Sequence, residues 1–275
     1  MFTDTHCHLD FDTYDADRAE VVWRAKQASL AFLVNPGVDL PSAGAVLRLT
    51  ADYPGYIFAA LGIHPNYSAG CELEHISRLE ALAHSPGVVA IGEIGLDYYR
   101  DYSPPAQQCR AFLWQLELAA RLELPVIIHD RDASQDLIPI LRDWQRALPA
   151  ANLIKQRPGV MHAYSGSAED ALALAELGFC FGIGGPVTYQ NAQERRQVVK
   201  QLPLGNILLE TDAPFLTPHP HRGKRNEPAY IPLIAETIAA LHNISSAGLG
   251  EASTANAVAV FRLAGQPGIS LPGAG

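Results

Sequence analysis

Two histidines, His6 and His8, stand one residue apart near the start of the chain. If residues 2–7 form a β-strand, side chains alternate between its two faces and both imidazoles lie on the same face. Cys7, between them, then points to the opposite face, and we interpret it as a core residue. Two neighbouring imidazoles supply half of a metal site, so the other ligands must come from later in the chain. An ordinary strand end is the alternative for this pair alone.

Ligand-type side chains also follow several later apolar segments that have the composition of strands. They are His64, Glu93, Asp97, His129, His162, Glu210 and Asp212. Taken singly, a histidine at a strand end is more often part of a structural hydrogen bond than a metal ligand, and Glu93 alone is explained by an ion pair. Imidazole or carboxylate groups at six strand ends together predict a centre for two divalent ions, because zinc-like ions favour imidazoles and a carboxylate can bridge two ions.

The segments that position these residues alternate regularly between strand and helix patterns. We predict strands at residues 2–7, 31–35, 57–62, 88–92, 126–129, 160–162, 179–182 and 206–210. Eight strand–helix units over about 250 residues favour an α/β fold, the (β/α)8 or TIM barrel, with the metal site at the C-terminal ends of the strands. The strands are apolar almost throughout, as expected of parallel strands buried on both faces. A doubly wound sheet is the alternative, but no G-x-G-x-x-G turn follows the first strand.

Two serines mark predicted helix starts, and Gly and Pro mark a predicted tail. Ser134 and Ser167 are placed to cap the helices that follow them. Pro139 is expected to interrupt the first of these helices. We expect one domain over residues 1–265 and a flexible tail over residues 266–275.

Composition excludes several classes of protein. The 275 residues are 48% hydrophobic and 18% charged, which is typical of a globular chain. A net charge of −9 argues against a protein that coats nucleic acid through bulk charge, although bound divalent ions would reverse the sign locally. No apolar run is long enough for a membrane span, and no signal-peptide pattern is present. Four scattered cysteines favour a reducing, cytoplasmic setting.

Nine short motifs follow one another over most of the chain. They are DTHCHL (4–9), LGIHPN (61–66), IGEIGLDYY (91–99), PVIIHDRDA (125–133), HAYSGS (162–167), GGPVTYQN (184–191), LLETDAP (208–214), RGKRNEPAY (222–230) and TAN (254–256). In sequence and order they resemble the TatD family of metal-dependent hydrolases and deoxyribonucleases, within the amidohydrolase-like TIM barrels. Two positions depart from the family's usual residues: Asp130 stands where Ser is common, and Tyr164 where a Phe-type aromatic is common. Asp130 adds a negative charge that could alter metal preference or phosphate affinity.

The resemblance implies a ligand set and a chemistry. His6, His8, Glu93 and Asp212 would hold one ion, and Glu93, His129 and His162 a second, with Glu93 bridging. Two ions that share a water lower its pKa towards neutrality. Asp212 and Glu93 are the expected catalytic residues, with Asp212 both a ligand and the acceptor of the water's proton. Zn, Mn, Mg, Ni and Fe all remain possible as the metal.

Other residues are expected to support the site or contact the substrate. His64 is assigned to a substrate phosphate or to orienting a ligand, with a structural role beside Pro65 equally open. Glu210 is expected to support a histidine ligand. Residues 219–227 are the most basic segment of the chain. We expect Arg222, Lys224 and Arg225 of this segment to contact the substrate. Asn226 and Glu227 are expected to fix the loop in place. Tyr98, Tyr99 and Tyr102 are candidates for base stacking or are ordinary rim aromatics.

The resemblance implies a deoxyribonuclease that cleaves phosphodiester bonds, plausibly from the 3′ end of single strands. DNA is then the substrate partner, and we expect a monomer with no membrane contact and no obligate protein partner. Hydrolysis of amides, lactones or small phosphoesters is an alternative on the same metal centre. A metal-containing binding or quality-control protein with little turnover is a second alternative.

Overall fold

Eight parallel strands follow chain order in one sheet, in a computed structural model that describes residues 1–266. The strands are β1 (Phe2–Asp4), β2 (Leu30–Pro36), β3 (Ile57–Leu61), β4 (Val88–Asp97), β5 (Val126–Arg131), β6 (Gly159–Met161), β7 (Cys180–Ile183) and β8 (Ile207–Leu209). The helices are α1 (Arg18–Gln27), α2 (Leu40–Asp52), α3 (Leu73–Ala83), α4 (Pro105–Leu122), α5 (Ser134–Ala147), α6 (Ala168–Glu176), α7 (Gln193–Gln201), α8 (Ile231–His242) and α9 (Ser246–Val260). The prediction of a (β/α)8 barrel is confirmed.

The barrel closes where the chain after β1 meets the end of β8. The backbone N–H of Thr5 donates to the Leu209 carbonyl at 3.0 Å, and the N–H of Asp212 donates to the His6 carbonyl at 2.9 Å. The N–H of His8 continues this ladder to Ala213 at 2.7 Å. This seam brings residues from the two ends of the sequence to the same rim of the barrel.

Side chains of the strands alternate between two apolar clusters. One set, which includes Phe32, Phe58 and Ile127, packs with the residues that end α9, among them Phe261. The other set, which includes Leu61, packs against the surrounding helices. Burying each large apolar side chain contributes about 1.5–3 kcal/mol to the free energy of folding. The two apolar layers therefore stabilise the barrel, and polar groups lie at its rim.

Glycine allows two strands to approach closely beside the site. Gly95 in β4 has a φ of +143°, and a Cβ atom there would collide with the carbonyl oxygen of His129 in β5. Only glycine satisfies both the backbone angle and the space. The close approach holds the end of β4, which carries Glu93, against the strand that carries His129.

Several predicted boundaries are corrected. Regular pairing of β1 ends at Asp4, because the Asp4 carboxylate accepts the His6 N–H at 3.2 Å in a local turn. Ser134 does not cap α5: Ala133 occupies the cap position and the Ser134 hydroxyl donates to Asp130 at 2.6 Å. Helix α5 also continues through Pro139. Ser167 caps α6 as predicted, accepting the Asp170 N–H at 3.0 Å.

Two expectations concern the ends of the chain and membranes. The predicted tail, residues 266–275, lies outside the described residues except for Gln266. Within residues 1–266, none of the helices combines the length and the apolar character that crossing a bilayer requires.

Candidate metal centre

Four side chains from β4 and from the two sides of the seam converge at the rim of the barrel. His6 Nε2 lies 3.2 Å from His8 Nε2 and 3.4 Å from Glu93 Oε2. Asp212 Oδ1 lies 3.6 Å from His8 Nε2 and 3.8 Å from His6 Nε2. Bonds of about 2.0–2.2 Å from a tetrahedral ion would separate its ligand atoms by roughly 3.3–3.6 Å. The spacing of these four groups therefore fits one divalent ion.

The Glu93 carboxylate faces a second group of imidazoles with its other oxygen. Oε1 lies 2.8 Å from His129 Nδ1, 3.5 Å from His64 Nε2 and 3.8 Å from His162 Nε2. Oε2 is the oxygen that faces His6 and His8. A carboxylate with one oxygen on each of two imidazole groups is arranged to bridge two ions. The structure thus brings together all six residues that the resemblance implies as ligands.

Burial and mutual proximity hold His6, His8 and Glu93 in the forms that bind metal. The pKa values of His129 and His162, in contrast, are raised, so an ion must displace protons from these two rings. Burial lowers the pKa of His6 and lowers that of His8 to about 4, so both imidazoles are neutral near neutral pH. Burial opposes ionisation of Glu93, but the surrounding imidazoles hold the pKa of this carboxyl well below its usual range. Burial raises the pKa of Asp212 to about 7. Neutral imidazoles and ionised carboxylates are the forms that coordinate metals.

Two carboxylates stand behind the histidines of the second group. Glu210 Oε1 lies 3.0 Å from His162 Nδ1 and accepts the Ala163 N–H at 2.6 Å. Gly182 in β7 makes room for it, because a Cβ there would collide with the Glu210 carboxylate. On the other side, Asp97 Oδ2 lies 3.2 Å from His129 Nε2. Such partners fix the ring orientation of a metal-ligating histidine.

Asp97 and Asp4 have structural roles that sequence reasoning missed. The fully buried Asp4 carboxylate accepts the N–H of Thr211 at 3.0 Å and its hydroxyl at 2.5 Å, besides the His6 N–H. Asp4 therefore ties the His6 backbone to the residue before Asp212. In the sequence, only the position of Asp4 two residues before His6 could have indicated this role. Its partner Thr211 lies about two hundred positions away along the chain.

His64 presents a proton donor to the site. Its Nδ1 accepts the backbone N–H of Asn66 at 3.1 Å. A neutral imidazole that accepts at Nδ1 carries its proton on Nε2, and that atom points at Glu93 Oε1. The geometry favours donation to an oxygen over coordination of an ion.

The three cations of the basic loop, residues 219–227, have different surroundings. Arg225 forms a two-point ion pair with Asp17 at 2.6 and 2.8 Å and lies over the Tyr14 ring. Arg222 and Lys224 are exposed, and the Arg222 guanidinium lies 4.4 Å from the centre of the Tyr189 ring. Arg225 thus anchors the loop, while Arg222 and Lys224 remain available to a ligand.

Asn226 and Glu227 anchor the same loop to the rest of the barrel. The buried Asn226 amide donates to the carbonyls of Thr211 at 2.9 Å and Phe215 at 2.6 Å. Glu227 pairs with Arg24 of α1 at 2.7 Å. These contacts fix the loop against the segment that carries Asp212.

Exposed aromatic rings surround the centre. Tyr99 and Tyr102 are exposed as candidates for stacking, whereas the Tyr98 hydroxyl donates to Asp136 at 2.9 Å. Sequence reasoning missed Phe11 and Phe215. Phe11 stacks on the His8 ring at 4.7 Å, and Phe215 is 52% exposed although its ring lies 6.5 Å from that of His8.

Asp130 lies beside the centre in a small cavity of about 110 Å³, which Asp132, Ser134, His162 and Tyr164 also line. One Asp130 oxygen accepts from Ser134, and the other is buried without a partner. Burial raises the pKa of this carboxyl. Asp130 therefore adds a carboxyl group to the same cavity that His162 lines.

A family model described as "TatD related DNase" matches residues 3–262. The chain belongs to the TatD family. It is 40% identical over 263 residues to the "Uncharacterized metal-dependent hydrolase YabD" of Bacillus subtilis, with 96% of this chain and 100% of that protein covered. The "3'-5' ssDNA/RNA exonuclease TatD" of Erwinia billingiae is 37% identical, with 94% and 98% covered.

A solved structure supports the same placement. The crystal structure of YjjV, a TatD homologue from Escherichia coli K12, has a TM-score of 0.86 and 32% identity, with 95% of this chain and 98% of that chain covered. This TatD-family protein is a metal-dependent hydrolase that acts on ester bonds, and its His, Glu and Asp side chains form groups that could hold a metal ion. The predictions of family and enzyme class are confirmed.

Proposed function

We propose that this TatD-family protein is a deoxyribonuclease that removes nucleotides from the 3′ end of single strands with two divalent ions. The observation that carries the proposal is the Glu93 carboxylate, with one oxygen facing His6 and His8 and the other facing His129 and His162. Centres of two ions are typical of enzymes that cleave phosphodiesters, where both the attacking and the leaving oxygen need stabilising. The relative from Erwinia billingiae that is named an exonuclease supports the choice of substrate.

The protein's own residues would hold the ions and move the proton. His6, His8, Glu93 and Asp212 would hold one ion, and Glu93, His129 and His162 the other; bound there, the ions would acidify a water and neutralise charge on the phosphoryl group. Asp212, whose Oδ1 lies 3.6 Å from His8 Nε2, would accept the proton of that water. His64 would donate its Nε2–H to a phosphate oxygen, and Glu210 would orient His162.

The surface around the centre fits a nucleic acid. Arg222 and Lys224 offer positive charge at the rim of a chain whose net charge is −9. The exposed ring of Phe215 lies beside His8 and could hold a terminal base by stacking. Cations for the backbone and flat rings for the bases are the usual combination for single-stranded nucleic acid.

We also propose a monomer in a reducing compartment. All seven residues of the candidate metal groups, which are the six proposed ligands and His64, come from a single chain, so the centre needs no second subunit. The four cysteines, all within residues 1–266, are free thiols. Free thiols are typical of a reducing setting such as the cytoplasm.

The test is release of label from single-stranded DNA carrying the label at the 3′ or the 5′ end. Metal-stripped protein receives Mg²⁺, Mn²⁺ or Zn²⁺, beside the Asp212→Asn variant. We expect metal-dependent stepwise shortening from the 3′ end that the variant lacks. Shortening from the 5′ end would overturn the polarity. Binding of two ions without any cleavage of DNA would overturn the nuclease proposal and leave hydrolysis of amides, lactones or small esters, or a binding role.

A further inference from the structure

A groove of about 660 Å³ lies beyond the metal centre, between the segments that follow β6 and β7. Tyr164, Ser165 and Gly166 form one wall of it and also line the small cavity that contains His162. Tyr189 and Arg195 lie on the other side. The volume falls within the roughly 300–1,000 Å³ of typical ligand sites. The groove therefore offers room next to the centre that none of the proposed ligand residues occupies.

Arg195 is a half-buried cation in this groove without a carboxylate partner. Its Nη1 donates to the Tyr164 carbonyl at 2.7 Å, and no carboxylate of residues 1–266 lies within ion-pair distance. Burial lowers the pKa of this guanidinium. A partly desolvated charge normally has a partner, and a guanidinium has five N–H donors in a planar fork that suits phosphate.

The neighbouring Arg196 shows what a structural arginine looks like on the same helix. Its guanidinium donates to the carbonyls of Val187 at 3.0 Å, Tyr189 at 2.6 Å and Gln190 at 3.2 Å, which holds the segment before α7 in place. Arg195 makes one such bond. Most of the donors of Arg195 are therefore left for a ligand in the groove.

A second cation lies on the Tyr189 ring. The exposed Arg222 guanidinium is 4.4 Å from the ring centre, and Arg195 lines the groove together with Tyr189. The N-cap residues of α6 and α7, Ser167 and Ala192, also line the groove. One carboxylate, the exposed Glu194, lies at the margin.

We propose that this groove is an accessory subsite for the single strand beyond the scissile phosphate, with Arg195 and Arg222 contacting backbone phosphates on either side of Tyr189. The inference rests on the proposed nuclease function and deepens it. Two cations that border the same aromatic ring or its groove suit the phosphates and bases of a single-stranded nucleic acid better than a small ester. Occupying the subsite would favour oligonucleotides over dinucleotides.

The test is binding of fluorescein-labelled oligothymidylates of two, four and eight residues to the Asp212→Asn protein, which binds without turnover. Arg195→Gln in this background should weaken binding of the eight-residue strand by on the order of tenfold and that of the dinucleotide much less. The slope of log affinity against log salt should become shallower by about 0.7, the value for one lost phosphate contact on a single strand. Glu194→Gln should strengthen binding.

Lys200→Gln is the matched control, since Lys200 is an exposed cation on the same helix and lies outside the groove. If Arg195→Gln binds the eight-residue strand like Lys200→Gln, the subsite is overturned. An equal loss for all three lengths would also overturn it, because it would indicate damage to the centre itself.

Two further measurements keep the result clear. Thermal unfolding shows whether Arg195→Gln still folds without its bond to Tyr164; if it does not, Arg222→Gln, an exposed position, decides by the same length and salt dependence. Hydrolysis by the unsubstituted protein is measured in parallel. If binding depends on Arg195 but no DNA is cleaved, the nuclease proposal is refuted and the subsite proposal stands. If DNA is cleaved but neither Arg195→Gln nor Arg222→Gln changes binding, the subsite proposal is refuted and the nuclease proposal stands.

Discussion

Two groups of charged side chains share one end of the barrel and differ in almost every physical respect. The metal-donor cluster of His6, His8, Glu93, His129, His162 and Asp212 is largely buried, and its members face one another. The basic loop, residues 219–227, carries Arg222 and Lys224 in solvent and ties Arg225 to Asp17. Ionisable groups face one another in the buried cluster, whereas two of the loop's cations are exposed to solvent.

This difference indicates that the metal-donor cluster determines the rate of hydrolysis and that the basic loop determines the affinity for the substrate. In the cluster, a shift of a fraction of an ångström changes every donor distance, because each atom has several neighbours at 2.8–3.8 Å. In the loop, an exposed cation contributes through the field it adds, and that field is screened by salt. Substitutions in the cluster should therefore abolish turnover, and those in the loop should tune binding.

The largest effect is expected at Asp212. Exchange for Asn keeps the size of the side chain but removes the charge and most of its basicity. Turnover on single-stranded DNA should fall by about 10²–10⁴-fold, with little change in the temperature of unfolding. Asp101→Asn, at an exposed position of the loop after β4, is the matched control. An Asp212→Asn protein that retains full turnover would contradict the assignment.

A smaller effect is expected at Glu210, behind the cluster. Glu210→Gln leaves His162 without the carboxylate 3.0 Å from its Nδ1. Affinity for the more weakly bound ion should fall by about 10–100-fold, measured by titrating metal-stripped protein. Glu169→Gln on the exposed face of α6 serves as control and should bind metal normally. Equal affinities for the two variants would show that Glu210 does not support the ion.

Metal affinity should also rise with pH. In the metal-free protein burial opposes protonation, but Asp97 and Glu93 raise the pKa of His129 to about 9, and Glu210 and Glu93 raise the pKa of His162 to about 10. Both rings are therefore protonated at neutral pH, and an ion must displace those protons. Between pH 6 and 8 the affinity should increase by up to about tenfold per pH unit for each proton displaced. Calorimetry in two buffers of different ionisation enthalpy counts the protons; absence of release would refute this coupling.

The smallest effects separate two arginines of the basic loop. Arg222→Gln should weaken binding of an oligonucleotide a few-fold and flatten its salt dependence by about 0.7 in slope, while stability is maintained. Arg225→Gln should instead lower the free energy of unfolding by about 1 kcal/mol, because it breaks a partly exposed ion pair. Urea unfolding and fluorescence anisotropy distinguish the two. If Arg222→Gln lowered stability and Arg225→Gln weakened binding, the two assignments would be wrong.

Much of the architecture could be predicted because it depends on local patterns. The carboxyl ends of parallel strands meet at one rim, so strand order predicted that the donor residues lie together, and the family resemblance gave their division between two ions. His6 and His8 converge although β1 ends at Asp4, before the alternation that was expected to align them. Apolar runs located all eight strands to within a few residues, although β4 continues to Asp97.

The features that the sequence did not predict share a physical cause. In each, a side chain bonds to a partner that is remote in sequence, or to another side chain and not to the local backbone. Asp4 and Asp97 were not assigned because their partners, Thr211 and His129, are remote in sequence. Ser134 was expected to cap a helix, but its hydroxyl bonds to Asp130 instead. Arg225 was grouped with its loop neighbours because nothing local indicates that Asp17 neutralises it.

The seam of the barrel also determines when this hydrolase can begin to work. The bond from Thr5 to Leu209 joins positions 204 residues apart, and His6, His8 and Asp212 lie directly beside it. A growing chain on the ribosome can hold its first histidines for most of its synthesis without the strand that completes their site. Contacts between positions so far apart in sequence form late, so an unfinished chain that has not reached Asp212 lacks one side of the candidate metal centre.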